Sequence, residues 1–267
     1  MNAKLHIQVA VKKTCSFLKH VFFTTPFKVM DITEDKAAGP LYLMLMSASP
    51  GVLDGDVYEI KIEVERNAVL YLHTQAYQRI FYMKQGASQQ MTVHVKEGAA
   101  FIYLPHPAVP HQQSVFTGIN NFYLHINACL VFGEVLTCGR KLNGESFLFS
   151  KYHSITQVFI NEALVIKENL LMQPALIEVS AIGQLEGFTH QASLLILDEH
   201  LDCKNLQSLI LELLAEKINI ESGVTAAPVN GLIIRLLGNG AEELYDVLKQ
   251  MAGLVKPVTQ KKIYHAT

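Results

Sequence analysis

The chain has 267 residues with 22 basic and 24 acidic side chains, a net charge of −2 and 50% hydrophobic residues. That balance excludes a disordered chain and gives no electrostatic footprint for nucleic acid. Charged residues make up 17%, against roughly 25% in ordinary soluble domains, so neutral patches are left over for partners.

Residues 1–200 predict a stacked β-sheet body. In Val57–Glu65, Ile60, Ile62 and Val64 alternate with Glu59, Lys61, Glu63 and Glu65, the period of a strand with one wet face. Similar strands are expected at Val69–Leu72, Met91–Val95, Phe101–Leu104, Phe122–Phe132, Ile155–Ile160 and Ser193–Leu197, with turn residues Asn67, Gly98, Pro105 and Gly118 between them. Two segments read as copied hairpins: Val64-Glu65-Arg66-Asn67-Ala68 and Val95-Lys96-Glu97-Gly98-Ala99 lie 31 residues apart. A degraded third copy surrounds Asn127-Ala128. A small residue at each corner suits rungs that pass close together.

From residue 201 the period changes. Leu206, Leu209, Ile210, Leu213, Leu214 and Ile218 form an amphipathic helical stripe with Asp202 as its N-cap. A strand-like GLIIRLLG follows at Gly231–Gly238. A second helix opens near Asn239, buries Leu244, Val247, Leu248 and Met251, and ends at Pro257. The expected fold is therefore mainly β: stacked β-sheets with β-helix- or sandwich-like repeats, and a small α+β C-terminal part carrying two helices. Residues 201–256 form a helix-strand-helix end packed on the body, and 257–267 a loose basic tail.

The apolar runs Leu41–Met46 and Ala128–Phe132 are far below the roughly 18 residues of a spanning helix, which predicts no membrane partner. MNAKLHIQVAVKK lacks the apolar core of a signal peptide. Cys15, Cys129, Cys138 and Cys203 have no C-x-x-C spacing and read as reduced thiols of a cytoplasmic protein. His106 and His111, in LPHPAVPH, could be half of a metal site, but a spacing of five matches no ligand motif and they read as surface residues of a stiff loop. His73, His94 and His125 read as solvated strand residues. LDGD at Leu53–Asp56 reads as a turn. There is no phosphate-binding P-loop and no nucleophile elbow.

Several segments taken in order, PFK (Pro26–Lys28), SPGVLDGD (Ser49–Asp56), TQAYQRIF (Thr74–Phe81), YLPHPAVP (Tyr103–Pro110), GEVLTCGRKLNGESF (Gly133–Phe147) and GLIIRLLG, together resemble the UreD (UreH) family of urease accessory proteins. That resemblance implies a non-enzymatic scaffold. It would bind apo-urease and a UreF-type protein, which in turn docks a UreG-type GTPase delivering nickel. No cofactor is tightly held, and nickel is cargo in transit. Stacked sheets with two helices near the C-terminus are also implied.

Three acidic positions carry over from the family as weak nickel transit positions: Asp56, Glu134 and Glu168. Asn169 follows Glu168 where many relatives have arginine. Sparse oxygen ligands suit a metal that must leave again, because imidazole and thiolate sites bind nickel tightly. Two alternatives stay open. The acids, like Arg140 and Glu145, could satisfy buried turns or lock the fold, or the chain could be a metal-dependent β-fold enzyme using His106, His111 and a carboxylate.

Overall fold

The computed structural model describes residues 1–37 and 39–255. In chain order the strands begin β1 (Asn2–Lys12), β2 (Cys15–Phe23), β3 (Phe27–Asp31), β4 (Leu41–Ser47), β5 (Val57–Val64), β6 (Val69–Thr74), β7 (Gln78–Ile80), β8 (Ala87–Val95), β9 (Ala100–Tyr103) and β10 (Ala108–Pro110). They continue with β11 (Val115–Leu124), β12 (Cys129–Thr137), β13 (Lys151–Ile160), β14 (Ala163–Met172) and β15 (His190–Leu197). The remainder is α1 (Cys203–Ala215), β16 (Glu221–Ala226), β17 (Gly231–Gly238) and α2 (Ala241–Gly253). Two sheets stack face to face. The first runs β14-β13-β11-β8-β5-β1-β2, and the second runs β16-β17-β15-β12-β9-β6-β4-β3, with β10 pairing β12 and β7.

The repeated segments are not hairpins. β5, β8 and β11 pair in parallel within the first sheet, and β6, β9 and β12 pair in parallel within the second. Each copy is thus a corner where the chain crosses from one sheet to the other, and its strands pair with the next rung instead of with each other. Asn67, Gly98 and Asn127 occupy the same left-handed corner position, with φ of 59°, 64° and 57°. Glycine and asparagine tolerate that region best. The alanine that follows each is buried, and its N–H closes the turn onto Glu65, Lys96 or His125. The expected strand Phe122–Phe132 is split by the third corner into β11 and β12.

Between the sheets lies the main core, where Leu5, Ile7, Ile62, Leu70, Val93 and Phe101 are all essentially inaccessible. A second core covers the outer face of the second sheet. There α2 buries Leu244, Val247, Leu248 and Met251, and α1 buries Leu206, Ile210 and Leu214, against Val131, Leu194, Ile196 and Ile234. A Cβ on Gly133 would stand 2.7 Å from Leu104 and 3.1 Å from Leu248, so the close seating of α2 needs glycine there. Asp202 caps α1 as expected, accepting the Asn205 N–H at 3.1 Å. The helix stops at Ala215, which leaves Ile218 off the stripe and 96% exposed. The edge strand β16 had no sequence signal because its residues are nearly all exposed. Pro257 and the basic tail 257–267 lie outside the described residues.

Candidate functional site

At the β14–β17 end, the layer between the sheets turns polar. Strand register places Asn120, Thr156 and Glu168 side by side across β11, β13 and β14. It likewise aligns Glu134, Ser193 and Arg235 across β12, β15 and β17. The two rows meet face to face. Ser154 Oγ donates to the Glu134 carboxylate, 3.2 Å from each oxygen, and Asn120 Nδ2 lies 3.4 Å from Glu134 Oε1. Arg235 Nη2 reaches across the sheets to both oxygens of Glu168, at 2.8 and 2.6 Å.

Glu134 is the electrostatic centre of this seam. Burial pushes its pKa up to about 7, and the nearby Glu168 charge adds to the rise. Hydrogen bonds from Ser154, Asn120 and Thr156 pull the other way without winning. The carboxyl is thus poised between charged and neutral near physiological pH. It also sits where two cavities meet, each of about 360 Å³. The first extends from Glu134 past Asn120 and Gln89 to Thr74, His106 and the exposed Gln75 and Arg79. The second extends from Glu134 past Ser154 and Thr156 to Glu168 and Arg235. A smaller gap of about 30 Å³ also touches Glu134, Thr156, Glu168 and Ser193.

Of the three acids expected from sequence, Glu134 and Glu168 line the same cavity and Asp56 does not. Asp56 is 3% exposed and accepts from the Leu53 N–H at 2.8 Å, the Tyr58 hydroxyl at 2.8 Å and the Met1 ammonium at 2.9 Å. Burial raises its pKa, but those donors outweigh it and hold the carboxyl below the ordinary value. In the same turn, Asp54 accepts the Gln85 and Gly86 N–H groups, and Gly55 has φ of 76°. Asn169 bonds His153, so the cation beside Glu168 comes from Arg235 on the facing sheet instead of from the next residue.

The histidines differ most from expectation. His111 is not on the surface: it is 6% exposed and packs edge-on against Phe81. His106 is half-buried, with Nδ1 2.9 Å from Thr74 Oγ1 and its ring against Tyr245. Prolines hold this loop against β7 and β12, which buries what lies between. His73 stacks on Tyr42 and His94 on Tyr123, and burial lowers both pKa values. His125 lies at the third corner. Among the described residues no three His, Cys, Asp or Glu side chains gather into a metal-ligand set, so His106 and His111 find no carboxylate to complete one. Arg140 and Glu145 do pair, with Arg140 Nε 2.9 Å from Glu145 Oε2, around a turn in which Gly144 has φ of 79°.

Sequence reasoning missed Asn120, Ser154, Thr156 and Arg235. One signal was available: Arg235 is the lone charge in an otherwise apolar GLIIRLLG strand. Asn120, Ser154 and Thr156 resemble ordinary polar strand residues until register aligns them with Glu134.

A family model described as UreD urease accessory protein matches residues 1–265. A protein of Flavobacterium johnsoniae named urease accessory protein UreD is 47% identical over 252 residues, covering 94% of this chain and 91% of its own length. Relatives of the same name from Acetivibrio thermocellus and Haemophilus influenzae are 32% and 31% identical, covering 95% and 97% of this chain and 97% and 100% of theirs.

Proposed function

The chain belongs to the UreD family of urease accessory proteins, and from that premise we propose that it is a non-enzymatic, cytoplasmic scaffold for nickel insertion. In this reading it binds apo-urease and a UreF-type protein, and through the latter a UreG-type GTPase. Nickel crosses the chain between its two sheets, with Glu134 as the central stepping-stone and Glu168 at the seam edge. Asp56 holds the Leu53–Asp56 turn and leaves the path to the other two acids.

The single observation that carries the reading is the half-buried Glu134 carboxylate at the junction of two cavities within the inter-sheet layer. A dication is costly to bring into such a layer unless an anion meets it. One carboxylate with hydroxyl and amide neighbours offers that anion without the tight binding of imidazole or thiolate. The raised pKa adds a second property: the proton leaves when a cation arrives and returns when it departs, so the empty seam carries little unpaired charge.

The test is Glu134→Gln, co-expressed with urease and the remaining accessory proteins. Nickel per urease active site is expected to fall several-fold while pull-down of urease stays unchanged, with partial rescue by added nickel. Normal nickel content in the variant would refute transit past Glu134. Loss of pull-down and melting temperature together would make the residue structural instead.

A further inference from the structure

The TQAYQRIF and CGRKLNGESF segments meet at another cavity, of about 700 Å³, that Glu134 and Glu168 do not line. Arg79 enters it from β7, and Arg140 and Lys141 from the turn after β12. Two imidazoles, His111 and His190, also line it, and each is only 6% exposed.

The charges here do not cancel locally. Glu145 is already held by Arg140, and Glu242 accepts from the Tyr77 hydroxyl at 2.7 Å. Lys141 Nζ contacts only neutral oxygens, Thr189 Oγ1 at 3.1 Å and the Asn239 carbonyl at 3.4 Å. The exposed Arg79 guanidinium has neither an ion-pair nor a hydrogen-bond partner among the described residues. The His111 ring is nine-tenths buried, lines the cavity and likewise has no hydrogen-bond partner among them. His190 uses Nδ1 on Thr189 Oγ1 at 2.8 Å.

The surroundings keep both rings neutral. Burial, then Arg140 and Arg79, lower the His111 pKa against an opposing pull from Glu145, and burial with Lys141 takes that of His190 to about 4. A neutral imidazole still has one N–H to give. The first turn of α2 carries its own acids, Glu242 and Glu243, so the helix end adds little.

We propose that this cavity binds a small oxyanion of phosphate or carboxylate chemistry, held by Arg79 and Lys141 with His111 as a buried neutral donor. Two cations without carboxylate partners and an idle buried donor are what such a ligand requires. Arg79 also lines the outer end of the Glu134 cavity, so the two cavities adjoin there, but the oxyanion site does not depend on nickel transit.

The experiment titrates the full chain with inorganic phosphate and, separately, with acetate, followed by calorimetry. Saturable binding is expected, and Arg79→Met and Lys141→Met should each weaken it about tenfold. Both side chains are exposed, so both variants should melt like the parent. Tighter binding of phosphate assigns a tetrahedral ligand, and tighter binding of acetate assigns a carboxylate. Two results would overturn the site: no saturation by either probe below about 10 mM, or an Arg79→Met affinity equal to that of Lys19→Met, a control remote from the cavity.

Discussion

The layer between the two sheets is filled in two different ways. Around β1, β5 and β8, facing β4 and β6, its interior is the apolar cluster of Leu5, Ile7, Ile62, Val93, Leu43 and Leu70, with the buried Asp56 held by its own donors at the start of β5 and the Glu134 cavity reaching in beside Leu45, Tyr58 and Ile60. Around β11, β13 and β14, facing β12, β15 and β17, it holds two glutamates, an arginine, an asparagine and hydroxyls, with cavities between them. One backbone design supports both fillings, because each inward position is set by strand period while its chemistry is free. Dry packing and a polar, cavity-lined seam thus share a single layer.

That contrast makes mutations at the two ends differ in sign as well as size. In the dry half, Ile62→Ala should destabilise by about 2–5 kcal/mol, since the site is closed on every side and leaves a cavity. Denaturant unfolding would show it, and a loss below about 1 kcal/mol would mean this half is as loosely packed as the other.

At the polar end, Glu134→Gln should stabilise. The folded pKa of about 7 lies above the ordinary 4.5, so between those values the folded chain keeps a proton that the unfolded chain has lost. Stability therefore falls as pH rises through that window and levels off above it. Removing the carboxyl should add about 1–3 kcal/mol at pH 8 and almost nothing at pH 4. Thermal melts of parent and variant across pH 4–8 would test this, and parallel curves would dispose of the raised pKa. A variant that is more stable yet delivers less nickel would separate transport from folding directly.

Smaller effects should follow at the edge of the seam. Ser154→Ala removes the hydroxyl bonded to both Glu134 oxygens. It should cost about 0.5–1.5 kcal/mol and shift the falling limb of the stability–pH curve to higher pH, because a donor to the charged form is gone. Arg235→Ala should change stability by less than about 1 kcal/mol, since the pair with Glu168 is partly exposed. Its larger consequence is on traffic: with Glu168 freed, urease nickel loading should become faster or less dependent on nickel concentration. Slower loading would show that the arginine orders the path instead of guarding its edge.

How much of this was legible in the sequence depended on whether the signal was local. Alternation in Val57–Glu65 and the helical stripe of α1 are local patterns, and both elements formed. The corner residues Asn67, Gly98 and Asn127 also stood out, but their meaning did not. A small turn residue between two strands signals a hairpin or a sheet-to-sheet corner equally, and only the partner 31 residues on distinguishes them. Glu134 was reached through its place in a family motif, while its neighbours Asn120 and Thr156 lie on strands joined by register alone. The burial of His111 was invisible for the same reason: prolines signal stiffness, not what a stiff loop is pressed against.

The parallel rungs also suit one order in time. β1 forms its hairpin with β2 at once, but its other edge must wait for β5, where Asn2 pairs with Val57. β5 then offers an edge to β8, and β8 to β11, so each completed rung is the template for the one synthesised after it. On that order the body would grow in the direction of translation. The seam needs β13 to β17 and would close last, and a nascent chain halted before β17 would leave Glu168 without Arg235 and the cavity beside Glu134 open to water along its side.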